Sequence, residues 1–170
     1  MFLLGCISSV DLTESNEASQ ITNQCFELVQ PAFVYEGRCA DLSGFNDNSE
    51  LCNSIQTMGE GVFPQSWENY LQQRDSFDKT HFDKLAFEKQ RTMLFALDAG
   101  TKVTITRVVH HGWGTDGRYW VFRGNLINNG KSIEVELPSF SKVHLMPYWL
   151  NGRSKNIPEL NSKFIGSCKP

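Results

Sequence analysis

The side chains best suited to bind a metal ion or a partner lie together in residues 110–117. His110, His111 and Asp116 bring two imidazoles and a carboxylate into one short stretch, and both groups are ordinary ligands of zinc. Adjacent residues of an extended chain point to opposite sides, so His110 and His111 do not face one ion together. We therefore expect solvated histidines here, with neither a metal site nor a cofactor.

Trp113 lies between two glycines of the same stretch. A tryptophan presented in this way can anchor a partner, because it buries a large area at a small cost in conformational entropy. The alternative is that Trp113 folds back and covers the end of the domain. We predict that residues 110–117 form a long loop that joins the first two of the strands described below. Long loops on a rigid sheet often carry function, so we predict a binding surface made of His110, His111, Trp113 and Asp116.

Glu134 and Glu136 lie two residues apart, which places both carboxylates on one face of a strand. A carboxylate pair can perform acid–base catalysis. The strand register derived below instead gives them Asn125 and Arg123 as cross-strand partners on a solvated face. An exposed ion pair of this kind is typically worth under about 1 kcal/mol, so we predict that Glu136 contributes little to stability. No G-x-S-x-G, P-loop or H-E-x-x-H motif is present, and we predict no catalytic residue.

These side chains depend on three antiparallel strands predicted within residues 97–138. Asn129-Gly130 is a two-residue hairpin signal, because a type I′ turn needs positive φ at both central positions. If Asn128 faces Lys131 across this turn, the remaining pairs follow. The inward pairs are Leu126 with Ile133, Gly124 with Val135 and Phe122 with Leu137, and the outward pairs are Arg123 with Glu136 and Asn125 with Glu134. A slip of one residue would place glutamates opposite aromatics, so the register is strongly specified.

The rest of the chain predicts a fold of β-rich α+β class, a small antiparallel barrel or sandwich with one or two short helices. Ser66 is a plausible helix N-cap and Glu68 suits the first turn. Pro31 interrupts the apolar pattern of residues 25–35, which suits either an edge strand or two short strands around a bend. Residues 75–91 fit either a helix or irregular strands, and of these we favour a short helix at residues 83–90. A further strand is predicted at residues 141–150.

The N-terminal Leu3-Leu4-Gly5-Cys6 resembles the lipobox of bacterial lipoproteins, in which the chain is cleaved before a cysteine that is then acylated. The resemblance implies lipidation at Cys6. No basic n-region and no full apolar segment precede the motif, so either the chain begins inside a signal peptide or the match is accidental in a cytosolic protein. Ile7 after Cys6 resembles lipoproteins sorted to the outer membrane and facing the periplasm.

The number of cysteines is consistent with a location in the cell envelope. The chain has five, and an even four remain once Cys6 is set aside as the lipid site. An even number suits two disulfides in an oxidising compartment, and no Cys-x-x-Cys pair suggests a redox or zinc site. Of the three possible connectivities we prefer Cys39–Cys52 with Cys25–Cys168. The alternative is four reduced thiols in a cytosolic protein.

Composition divides the chain into three parts. The lipobox resemblance implies that residues 1–6 are the remnant of a lipoprotein signal with its lipidation site. The polar residues 7–24 predict a flexible tether, and residues 25–170 are predicted to form a single β-rich, disulfide-stapled domain. Fully extended, the tether would reach roughly 60 Å from the membrane. The stretch 97–103 together with Tyr119-Trp120-Val121 is faintly similar to SH3-type domains of bacterial envelope proteins, which implies a small β-barrel.

These features together lead to one expectation about function. The formal net charge of −3 gives no electrostatic reason to expect nucleic-acid binding. We expect a lipid-anchored cell-envelope binding or scaffold protein without catalysis, whose partner is an envelope protein or peptidoglycan. The membrane is contacted through the lipid anchor only. One version is an immunity-type inhibitor of a delivered toxin, and the alternative is an envelope hydrolase that uses carboxylates or the histidine loop.

Overall fold

The computed structural model describes residues 8–38, 51–60, 63–81, 93–112, 118–138, 149 and 159–169. These residues contain one helix, α1 (Trp67–His81). The strands are β1 (Ser8–Asp11), β2 (Cys25–Leu28), β3 (Ala32–Arg38), β4 (Leu51–Thr57), β5 (Met93–Leu97), β6 (Lys102–Gly112), β7 (Arg118–Asn128), β8 (Lys131–Pro138) and β9 (Ile165–Ser167). The β-rich α+β class is confirmed. The helix predicted at residues 83–90 lies outside the described residues, as does the strand predicted at 141–150 apart from residue 149.

The strands form one sheet in the order β5-β3-β4-β8-β7-β6-β2-β9, and β1 pairs with β6 beside this path. The β4–β8 contact is parallel, whereas the other pairings are antiparallel. Among the described strands, β5 and β9 end the sheet without pairing to each other. The sheet is therefore open and sandwich-like, and the closed-barrel alternative, including the barrel implied by the SH3-type resemblance, does not hold.

The β7–β8 hairpin has the register that the sequence predicts. Asn128 pairs with Lys131, and every inward and outward pair named above is present. Asn129 and Gly130 have φ of 50° and 75°, as the type I′ turn requires. A register that is fixed by both a turn and an apolar face leaves no competing alignment.

Two apolar clusters lie on opposite faces of the sheet. The larger cluster covers one face with residues from most strands, including the fully buried Val34, Ile55 and Phe122. The smaller cluster joins α1 to β3 and β5 through Tyr70 and Phe77. Helix α1 begins where predicted, since the backbone N–H of residue 69 donates to Ser66 Oγ at 3.2 Å. Tyr70 and Phe77 lie seven residues apart on one face, and this spacing explains why α1 packs on the sheet.

The N-terminal segment is part of the fold, and the prediction of a flexible tether is wrong for residues 8–24. Strand β1 pairs with β6 over its whole length, and the turns that follow bury Ala18 and Ile21 in the larger cluster. The N–H of Leu12 donates to the carbonyl of Val108 at 2.9 Å. A polar sequence is ordered here because its backbone groups find partners on β6 and because two apolar side chains reach the core.

Candidate functional site

The predicted binding surface at residues 110–117 is divided by the structure. His110 and His111 belong to β6, opposite Trp120 and Tyr119 of β7, so the prediction that they lie in a loop is wrong. The strand extends to Gly112 because β1 pairs with its other edge, which places Val10 opposite His110. Trp113 and Asp116 lie outside the described residues, so binding at the four positions stays a prediction.

Strand β1 begins at the end of the sheet where β6 stops and β7 starts. Ser8 pairs with Gly112, and Gly112 pairs with Arg118. Ser8, Gly112 and Arg118 mark this end of the sheet, which is opposite to the β7–β8 turn. It is the part of the described domain closest along the chain to Cys6.

Strand β1 is fixed to β6 by an ion pair as well as by backbone hydrogen bonds. Arg107 Nε donates to Asp11 Oδ2 at 2.8 Å. The Thr13 hydroxyl donates to Asp11 Oδ1 at 2.6 Å, and the Thr13 N–H donates to the same oxygen at 3.0 Å. The hydroxyl of Thr13, with help from its N–H and from Arg107, lowers the pKa of Asp11 from 3.8 to about 2. The carboxylate is thus held as an anion between β1 and β6.

A second polar cluster lies between β4, β7 and β8, on the sheet face opposite the larger apolar cluster. Arg123 Nε and Nη2 each lie 3.2 Å from Glu136 Oε1. Arg123 Nη1 lies 3.5 Å from Glu134 Oε1, and Nη2 lies 3.4 Å from the sulfur of Cys52. We call Arg123, Glu134, Glu136 and Cys52 the arginine cluster.

Glu136 is only 1% exposed, and the prediction that it lies on a solvated face is wrong. The cross-strand pairing with Arg123 is as predicted, but β8 also meets β4, where Ser54 is the parallel partner of Glu136. The Arg123 side chain is 15% exposed, whereas that of Glu134 is 58% exposed. Because the pair is buried, removing either Arg123 or Glu136 would leave the other as an unpaired charge away from water, which is energetically costly.

A shallow groove of about 400 Å³ runs beside this cluster and is lined by Cys52, Asn53, Arg123 and residues 132–136. Ser54 follows the lining residue Asn53 in the chain. The Ser54 hydroxyl is buried and has no hydrogen-bond partner among the described residues. Glu134 and Glu136 share one guanidinium at the groove. This is the arrangement of a structural ion-pair network rather than of an acid and a base facing a substrate.

The sequence gives no sign of the arginine cluster beyond the Arg123–Glu136 pairing. Cys52 joins the cluster from a third strand, β4, and the described residues between β4 and β8 form a helix and three strands. Within the described residues, no group of three or more His, Cys, Asp or Glu side chains lies close enough to hold a metal ion.

A disulfide joins Cys25 at the start of β2 to Cys168 after β9, with the two Cα atoms 5.5 Å apart. The N–H of Cys168 also donates to the carbonyl of Cys25 at 3.1 Å. This pairing confirms one of the two predicted disulfides. Cys52 is disulfide-bonded too, and its partner lies outside the described residues, as do Cys39 and Cys6. Cys39–Cys52 therefore stays a prediction.

No family model, no curated protein and no solved structure matches this chain. In the part of the chain that the structure describes, no helix is both long and apolar enough to cross a membrane.

Proposed function

We propose that this chain is an extracytoplasmic binding protein of the bacterial cell envelope, held to the outer membrane by a lipid on Cys6, and that it catalyses no reaction. The observation that carries the proposal is the Cys25–Cys168 disulfide, which joins residues 143 positions apart. A bridge of this kind persists in oxidising compartments and is rare in a reducing cytosol. Its presence supports an address outside the cytoplasm.

The position of β1 is compatible with maturation at Cys6. Processing of a lipoprotein would remove residues 1–5, and the described fold begins with β1 at Ser8. Every described pairing of the sheet therefore remains in the mature chain. A lipid on Cys6 would be attached two residues before a strand that is part of the domain.

Binding is a better proposal than catalysis because of the arginine cluster. The two glutamates that the sequence offers for acid–base chemistry share Arg123 as a partner, and Glu136 is buried. Nothing in the described residues favours the hydrolase alternative, so we do not propose it. We propose that its partner is an envelope protein or peptidoglycan. In one version of this proposal, the chain itself is an immunity-type inhibitor of a delivered toxin.

The test of the address is incorporation of labelled palmitate by the full-length gene product in bacterial cells. We expect the wild-type protein to be labelled, and the Cys6→Ser variant to lose the label and to appear in the soluble periplasmic fraction. Ser8→Ala is the matched control, since it alters a neighbouring small residue without touching the acylated position, and it should be labelled like the wild type. Equal labelling of Cys6→Ser and the wild type would contradict the proposal.

A further inference from the structure

The groove beside the arginine cluster lies where β4 and β8 separate. These two parallel strands share one bridged pair, Ser54 with Glu136. From this pair the groove extends along the preceding residues of β4 and along residues 132–135 of β8. The side-chain amide of Asn53 donates to the carbonyl of Glu134 at 3.3 Å and so bridges the gap. The opening that remains, about 400 Å³, is within the size range of ligand-binding pockets.

The described charges that line this groove make it negative. Arg123 brings one positive charge, whereas Glu134 and Glu136 bring two negative ones. The guanidinium already contacts both carboxylates, at 3.5 and 3.2 Å, and its Nη2 also lies 3.4 Å from the sulfur of Cys52. No other cationic side chain of the described residues lines the groove. A cation is therefore attracted here, whereas an anion is repelled.

Two lining side chains offer hydrogen-bond acceptors to a ligand. The Glu134 side chain is 58% exposed, and an ionised carboxylate accepts several hydrogen bonds besides the contact with Arg123. Asn53 uses its Nδ2 as the donor to β8, which leaves the amide oxygen Oδ1 as a second acceptor. The groove thus favours a ligand that is both cationic and rich in donors.

The Ser54 hydroxyl is an independent sign that the groove receives a ligand. Ser54 is fully buried, and its Oγ has no hydrogen-bond partner within the described residues. Because side chains alternate along a strand, Ser54 lies on the same face as Cys52, and Cys52 lines the groove. It also lies directly opposite the lining residue Glu136. A buried hydroxyl without a partner is uncommon and unfavourable, and a donor that entered the groove would supply the missing hydrogen bond.

We propose that this groove binds the primary ammonium group of a lysine side chain on a partner protein. The inference rests on the binding function proposed above and adds the chemistry of the partner. An ammonium group has three donors and no acceptor, which matches the acceptors on Glu134, Asn53 and Ser54. The diamino acids of peptidoglycan carry a carboxylate next to each amino group, and this carboxylate would be repelled by the negative groove. A lysine of a protein is therefore favoured over peptidoglycan.

Titration of the full chain with short blocked peptides, followed by NMR, tests the site. The probe is acetyl-Gly-Lys-Gly-amide, and the control peptide has norleucine in place of lysine, which retains the alkyl chain but lacks the ammonium. We expect saturable shifts of the Asn53 side-chain amide and of the Glu134 N–H with the lysine peptide alone. Equal responses to both peptides, or no saturable response to either, would overturn the inference. Diaminopimelic acid should bind at least about fivefold more weakly than the lysine peptide, and equal or tighter binding would contradict the choice of a protein lysine.

Glu134→Gln tests the charge at the groove. Glu134 is largely exposed, so the variant should fold normally and bind the lysine peptide about threefold to fivefold more weakly. The matched control is Glu27→Gln. Glu27 lies in β2 between two residues of the larger apolar cluster, and therefore on the same sheet face as Glu134 but three strands away. The control should bind like the wild type, and an equal loss in both variants would show unspecific charge attraction and contradict the site.

Ser54→Ala distinguishes a contact with the ligand from a structural role. Removal of an unpartnered hydroxyl should not lower the urea midpoint of the free protein, but the affinity for the lysine peptide should fall about threefold or more. Reduced stability with unchanged affinity would contradict the site. These measurements do not require the lipid, so the two proposals fail separately. Palmitate-labelled protein that does not bind the peptide refutes the lysine site alone, whereas unlabelled protein that binds it refutes the anchor alone.

Discussion

The β7–β8 hairpin and the N-terminal segment 8–24 obtain their structure in different ways. In the hairpin, each pair follows from a turn of two residues and from alternating side chains on strands next to each other in sequence. The N-terminal segment has no such local signal, and its strand β1 pairs with residues about a hundred positions away. Local pairing can be read from a single stretch of sequence, whereas a polar segment that is ordered by a distant strand resembles a disordered one.

The same contrast exists within the hairpin, between its two faces. The inner face is apolar and buried as its composition requires, and Phe122 and Leu137 are fully buried. The outer face carries charges, which indicate exposure, yet Glu136 is buried there beside β4. The pairing of Glu136 is a local property, while its burial depends on a strand from elsewhere in the chain.

The largest effect that we expect comes from Glu136→Ala, which leaves the Arg123 guanidinium without its buried partner. Removal of one member of a buried pair costs about 3–5 kcal/mol. The matched control is Glu134→Ala, because Glu134 contacts the same guanidinium but is 58% exposed, and an exposed pair is worth under about 1 kcal/mol. Urea melts of the two variants measure the difference, and equal losses would show that the outer face is uniformly solvated.

Ile21→Ala tests whether the N-terminal segment belongs to the domain. Ile21 is 6% exposed within the larger apolar cluster, and truncation of a buried isoleucine costs about 2–5 kcal/mol. Ile127 in the hairpin is 66% exposed, so Ile127→Ala should change the free energy of unfolding by less than about 0.5 kcal/mol. If residues 8–24 were a flexible tether, Ile21→Ala would cost as little as Ile127→Ala.

Gly130→Val tests the turn that sets the hairpin register. Gly130 has φ of 75°, and an added Cβ would have no heavy atom within 4 Å. The substitution therefore destabilises the fold through the backbone conformation and not through a clash with neighbouring atoms. An L-residue in the left-handed region costs about 1–2 kcal/mol, and a β-branched one is a genuine outlier there. Asn tolerates positive φ, so Gly130→Asn should retain most of the stability in the same melts.

The smallest effect is the pH dependence contributed by Asp11, which joins β1 to β6. Its folded pKa is about 2, below the ordinary 3.8, so its contribution is fully present above pH 3.8 and is lost as the pH falls through about 2. Because the side chain is 48% exposed, solvent screening limits this contribution to under about 1 kcal/mol. Asp11→Asn should therefore be slightly less stable than the wild type at pH 6, and the difference should shrink as the pH falls through about 2.

Sequence reasoning succeeded wherever the determinants were close together in the chain. The Asn129-Gly130 turn, the Ser66 cap and the division of two strands by Pro31 all depend on a few neighbouring residues. The Cys25–Cys168 pair could be predicted because the chain has few cysteines and because its C-terminal end needs an attachment to the domain.

Long-range pairing accounts for the predictions that were wrong. The extension of β6 through His110 and His111 and the order of residues 8–24 both come from the β1–β6 contact. The burial of Glu136 comes from the β4–β8 contact. No spacing or composition within a single segment reports which distant strand will lie beside it.

The oxidation state of Cys25 and Cys168 in protein taken from its own cells tests the proposed address most directly. The cells are treated with a membrane-permeant alkylating reagent before lysis, and the peptides that contain the two cysteines are then mapped without reductant. We predict that both cysteines are unmodified and are recovered as one cross-linked peptide, whereas both are alkylated if reductant is added first to the unfolded protein. Full alkylation of Cys25 and Cys168 without reductant would place the chain in a reducing compartment and contradict the account.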